Sequence, residues 1–108
     1  MLTISAPVLH DRLISVTVVG EIDIATVEPL DAAMYEAVTR DGVTAVVVDF
    51  HDVAFCDHSG LDALERAHAA AHARGVAFQL INVAPPVRRV LEIVGMLDLL
   101  RPPTPGTS

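Results

Sequence analysis

Residues 44–50 read Thr-Ala-Val-Val-Val-Asp-Phe, with three consecutive valines at the centre. β-branched side chains are stiff at χ1 and favour extended backbone. An apolar run without strict alternation fits a central strand buried on both faces. Such a strand needs neighbours on each side and cover above and below it. A layered α/β domain meets both needs.

The flanking segments supply them. Leu2 to Val8 is a short apolar edge segment ended by Pro7, and Leu13 to Gly20 is a β-branched strand interrupted by Ser15 and Thr17. His10-Asp11-Arg12 reads as the hairpin connection between the two. Gly20-Glu21-Ile22-Asp23 then leaves the strand, and Thr26 is placed to cap a helix over about residues 27–40. Val27, Leu30, Met34, Ala37 and Val38 recur at three- and four-residue steps along that helix. Pro29 falls in its first turn, where a missing N–H costs little, and Asp41-Gly42 stops it.

After the valine strand, a helix over residues 59–74 carries Leu61, Leu64, His68 and Ala71 on one side. Residues 76–82 form the next strand, and Pro85 or Pro86 opens a helix that turns Val87, Val90, Leu91 and Val94 inward. Asp98 to Arg101 reads as a last short strand or turn, and residues 102–108 as a disordered tail after a single domain over 1–101. Once past the opening hairpin, strands and helices alternate. Alternation implies mostly parallel neighbours joined by right-handed crossovers, and the hairpin makes the sheet mixed.

Charge narrows the partners. Fourteen acidic residues stand against seven basic ones, all arginine, for a net charge of -7. Phosphate backbones and anionic lipid repel such a surface, so neither nucleic acid nor membrane is an expected partner. Three Phe, one Tyr and no Trp leave little for base stacking. No apolar run approaches the ~20 residues of a membrane-spanning helix, and the N-terminus lacks the pattern of a signal peptide. The single cysteine, Cys56, suits a reducing compartment, and the cytoplasm is the expected location. Another protein is the expected partner.

The turn Asp57-His58-Ser59-Gly60 lies where the valine strand hands over to a helix, the usual functional edge of an α/β sheet. Ser59 and Asp62 have capping-box spacing, which makes Ser59 a plain helix cap on local physics. The functional reading is phosphorylation of Ser59. A phosphate there would be held by the N–H groups at the helix mouth and would spoil an interface fitted to a neutral hydroxyl.

The turn resembles the phosphorylation-site signature of the STAS-domain anti-sigma factor antagonist family, in which an Asp precedes Ser-Gly-Leu by one residue. Asp57, Ser59, Gly60, Leu61 and Leu64 carry the match, after the apolar lead-in Val53-Ala54-Phe55. Gly20-Glu21-Ile22-Asp23 with Thr26 and Leu30 is similar to the family's stretch before its first long helix. Pro86-Val87-Arg88-Arg89 and Gly95-Met96-Leu97 resemble its C-terminal helix and stop. The resemblance implies a STAS-like mixed, mostly parallel sheet with helices packed mainly on one face. It implies a binding protein rather than an enzyme, with no cofactor. Its partners would be an anti-sigma factor serine kinase, bound when Ser59 is unphosphorylated so that the sigma factor is released, and a metal-dependent serine phosphatase. Asp23, Asp57, His58, Ser59, Gly60, Leu61 and Asp62 would form the docking surface. Asp57 is expected to order the turn through backbone hydrogen bonds. His58 departs from the small hydroxyl residue often found there. A STAS scaffold or ligand-sensing module without phosphorylation is the alternative.

Other constellations give less. Asp57, His58 and Ser59 carry the letters of a catalytic triad, but consecutive residues cannot converge as a relay. His68 and His72 have metal-binding spacing on a helix without evident further ligands, so no metal site is expected. Cys56 reads as a small buried hydrophobe, Arg88 and Arg89 as solvated. No glycine loop cradles phosphate, so no nucleotide cofactor is expected.

Overall fold

The computed structural model describes residues 1–101; the expected tail over 102–108 lies outside the described residues. Strands β1 (Leu2–Ile4), β2 (Val8–His10), β3 (Leu13–Ile22), β4 (Ala45–Cys56) and β5 (Ala77–Ile81) alternate with helices α1 (Val27–Thr39), α2 (His58–Ala73) and α3 (Pro85–Ile93) after the first three. They form one mixed sheet in the order β1-β3-β4-β5, with β2 also paired to β3. The β3, β4 and β5 strands run parallel, and β1 and β2 run antiparallel to β3.

The opening segment is two strands, not one. Pro7 has no N–H to donate, and the chain breaks there before pairing again through Leu9↔Ile14. Asp11 and Arg12, at φ 49° and 70°, make the two-residue turn that follows. Successive left-handed residues match the twist of a tight hairpin.

The valine strand is fully buried on one face only. Val46, Val48 and Phe50 lie beside Ile14, Val16, Val18, Phe78 and Leu80 in the core, while Ala45, Val47 and Asp49 are half-buried. Neighbouring strands present Ser15, Thr17 and Gln79 on that second face. Its polar members find partners there: Asp49 Oδ1 accepts from the His51 N–H at 2.9 Å and from Asn82 Nδ2 at 3.3 Å. A face carrying these groups has no need of a complete apolar cover. The expectation of burial on both faces is corrected accordingly.

Helices α1 and α2 put Leu30, Met34, Ala37 and Val38, and Leu61, Leu64, Ala67 and Ala71, into the same core. From α3 come Val87 and Leu91; Val94 lies just past its end and is exposed rather than inward. Leu97–Leu100 is a 3-10 turn that buries Leu99, and Gln79 Nε2 donates to the Leu100 carbonyl at 3.2 Å. Among the described residues no helix is long and apolar enough to cross a membrane.

β4 runs past Phe50 to Cys56, and its register slips twice against β3. Thr17 faces Asp49 but Val19 faces Asp52; Gly20 faces Val53 but Glu21 faces Phe55. Each slip is an extra residue on β4, a bulge of the kind that re-aims side chains at the rim of a sheet. Burial consequently falls on Phe50, Val53 and Cys56, three residues apart, and His51, Asp52, Ala54 and Phe55 turn outward.

Candidate functional site

Ile22 pairs with Cys56 at the ends of β3 and β4, and the Asp57 N–H donates to the Ile22 carbonyl at 3.0 Å. Asp23 and Asp57 therefore leave the sheet side by side. Asp23 organises its own loop: Oδ1 accepts from the Ala25 and Thr26 N–H groups at 3.0 and 3.1 Å. Thr26 does not cap α1 with its side chain as expected, because the hydroxyl turns back into this loop. It donates to the Glu21 carbonyl at 2.9 Å and accepts from the Asp23 N–H at 2.9 Å.

The cap of α2 is Asp57, not Ser59. One carboxylate oxygen, Asp57 Oδ1, accepts from the N–H groups of Ser59 and Gly60 at 3.0 and 3.3 Å. A serine already inside the first turn cannot serve as the residue before it; Ser59 is itself one of the positions whose N–H needs an acceptor. Its hydroxyl donates to the same Asp57 Oδ1 at 2.5 Å. The expected ordering of the turn by Asp57 through backbone hydrogen bonds is present. The Ser59 hydroxyl bond, followed by the Gly60 and Ser59 N–H bonds and the nearby His58, holds the Asp57 carboxyl below its ordinary 3.8, against partial desolvation.

Ser59 is half-buried, seated at the rim rather than in the core. His58 is exposed, and its Nδ1 lies 3.6 Å from Asp62 Oδ1, so that pair occupies the outer side of the first turn. Gly60 and Leu61 are buried. A Cβ on Gly60 would lie 2.6 Å from both Cys56 Sγ and Ile22 Cγ2, so only glycine lets α2 begin this close to the sheet. Of the seven residues singled out from the sequence, five thus reach the surface: Asp23, Asp57, His58, Ser59 and Asp62. Gly60 and Leu61 hold the turn from inside.

Cys56, directly beneath, is 5% exposed. Burial, then the Asp57 charge, pushes its thiol up to about 12. Two exposed apolar side chains flank the turn; the sequence reading left out Ile24 and took Phe55 only as part of the apolar lead-in. Ile24 follows Asp23 and is 82% exposed; Phe55 precedes Cys56 and is 51% exposed. The segment's own sequence carried no signal for Phe55, because its outward turn follows from the register of β4 against β3.

Elsewhere, Glu28, Asp31 and Tyr35 of α1 and Arg66, Ala67 and Ala70 of α2 line an open cavity of about 440 Å³. His68 packs edge-on against Phe78 with ring centroids 6.3 Å apart, as a core-edge residue does. Among the described residues no three His, Cys, Asp or Glu side chains cluster as metal ligands.

A mixed five-stranded sheet, with a helix capped by Asp57 at the end of its central strand, is the architecture of a small α/β STAS-type domain. The STAS domain family model matches residues 5–106, and the chain belongs to that family. Within it, the chain is 26% identical over 91 residues to an anti-sigma F factor antagonist of Paenibacillus polymyxa, covering 84% of this chain and 78% of that one. An anti-sigma factor antagonist from Mycobacterium paratuberculosis superimposes with TM-score 0.82 at 27% identity, over 97% of this chain and 88% of that one. The Bacillus cell fate determinant SpoIIAA in its phosphorylated form gives 0.71 at 21% identity, over 97% and 93%.

Proposed function

We propose that this chain is an anti-sigma factor antagonist whose docking surface centres on Ser59 and is controlled by phosphorylation there. Unphosphorylated, it binds an anti-sigma factor that is also a serine kinase, and the sigma factor is released. Phosphorylation by that kinase ends the interaction, and a serine phosphatase restores it, in a bacterial cytoplasm. The named relatives support the antagonist role. The observation that carries the switch is the half-buried Ser59 hydroxyl, fixed by Asp57 at 2.5 Å on the rim of the sheet.

A phosphate adds about two negative charges to a turn that already holds Asp57, with Asp23 and Asp62 nearby. Those charges oppose any partner surface fitted to a neutral hydroxyl. Disrupting a buried polar contact at an interface commonly costs about 2–5 kcal/mol, roughly thirty- to several-thousand-fold in affinity. Ile24 and Phe55 supply apolar contact beside the polar centre, where a partner can exclude water.

Intact-mass measurement after incubation with the kinase and MgATP tests this reading. The parent gains one phosphate and Ser59→Ala gains none. A parent of unchanged mass would instead favour the scaffold or ligand-sensing reading, which the open cavity between α1 and α2 supports.

A further inference from the structure

We propose that the cavity between α1 and α2 binds a small organic cation, an ammonium group carried on a flat aromatic body. None of its lining residues belongs to the Ser59 turn, so the site exists whether or not Ser59 is phosphorylated. Its walls are two helix stripes. Glu28, Ala32 and Tyr35, with Asp31 beside them, share one side of α1, and Arg66, Ala67 and Ala70 share one side of α2. The three alanines carry only methyl groups, which leaves space between the two packed helices. The stretch from Glu28 to Tyr35 is about 10 Å of helix, the length of a small molecule. The volume of about 440 Å³ falls within the roughly 300–1,000 Å³ of small-molecule sites.

The polar groups choose the sign of the ligand. Arg66 Nη2 lies 3.4 Å from Asp31 Oδ2, so these two charges neutralise each other between the helices. The third charge is Glu28. Among the described residues it has no Arg, His or N-terminal partner within ion-pair distance. It sits in the first turn of α1, where the helix end favours an anion. The cavity therefore carries one uncompensated negative charge. An anionic ligand would have to take Arg66 from Asp31, whereas a cation meets Glu28 and leaves that pair intact. Tyr35 supplies a second attraction. Its side chain is 63% exposed, and among the described residues no ring is stacked on it. The face of an aromatic ring draws a cation. An ammonium between Glu28 and Tyr35 would lay its apolar body over Ala32, Ala67 and Ala70.

Tyr35 is the one tyrosine of a chain without Trp, so tyrosine emission reports on this cavity alone. The probe is 2-phenylethylamine, with 2-phenylethanol and 3-phenylpropionate as its neutral and anionic counterparts. Each is titrated into the full chain, excited where phenyl does not absorb, with backbone-amide NMR in parallel. The amine is expected to saturate with a dissociation constant of roughly 0.1–10 mM, as a ligand of this size does. Amide shifts should centre on Ala32, Ala67 and Ala70, and affinity should exceed that of the alcohol by about three- to thirtyfold. Glu28→Gln, at an exposed position, should bring the amine down to the level of the alcohol. Ala70→Leu should fill the cavity and abolish binding of both, with the melting transition of each variant retained. An alcohol or propionate that binds as tightly as the amine overturns the proposal. So does an amine that fails to saturate, a Glu28→Gln variant that keeps the full preference, or amide shifts centred away from the cavity.

Discussion

Asp57 Oδ1 and Ser59 Oγ stand 2.5 Å apart, with the serine hydroxyl as donor. The carboxylate therefore does two things at once: it caps α2 and holds the hydroxyl at the surface.

That bond makes stability sensitive to acid. The folded-state carboxyl of Asp57 lies below its ordinary 3.8, with the Ser59 hydroxyl bond as the largest cause. A depressed folded value means that the unfolded chain binds the proton more readily. The contribution is complete above the unfolded value and is lost as pH falls through the range below about 4. Thermal melting across pH 2.5 to 6 checks this. The gap in melting temperature between the parent and Asp57→Asn is expected to narrow or reverse toward the acid end; a pH-independent gap contradicts the assignment.

Gly60 is the second fixed point of the turn. Its missing side chain admits Cys56 Sγ and Ile22 Cγ2 to positions 2.6 Å from where a Cβ would stand. Gly60→Ala is expected to cost about 1–3 kcal/mol by overpacking. Adding Cys56→Ala removes one of the two clashes, so the pair should lose less than the sum of the single changes. Urea unfolding of the four proteins gives the coupling directly, and simple additivity would contradict the packing.

Cys56 should behave as structure rather than as a sensor. Burial, and then Asp57, lifts its thiol to about 12, and only the thiolate is nucleophilic. Folded protein at pH 8 is expected to resist iodoacetamide that labels urea-unfolded protein readily. Equal rates in both states would contradict this.

Ile24 and Phe55 belong to the proposed docking surface. At 82% and 51% exposed they contribute little to the core, so Ile24→Ala and Phe55→Ala should leave the melting temperature nearly unchanged. Each is expected to weaken kinase binding by about 1–2 kcal/mol, as truncated interface anchors do. Loss of melting temperature with binding retained would reverse the assignment.

Much of the fold was legible because its signals are local. The apolar stripe of α1, the proline opening of α3 and the alternation of elements each arise within one segment of chain. The bulges in β4 were not legible in that way, because register belongs to two strands together. Val53 and Phe55 look alike in sequence, yet two inserted residues bury the first and expose the second. The site was legible as a set of residues but not as a division of labour. Asp57 and Ser59 are both good cap residues, and only the start of α2 at His58 decides between them.

The most direct measurement compares kinase affinity for the unmodified chain and for the same chain carrying phosphoserine at position 59, by titration calorimetry at matched ionic strength. The account predicts a loss of roughly thirty- to several-thousand-fold in a protein that remains folded. Equal affinity of the two forms would contradict it, even if Ser59 were phosphorylated in the cell.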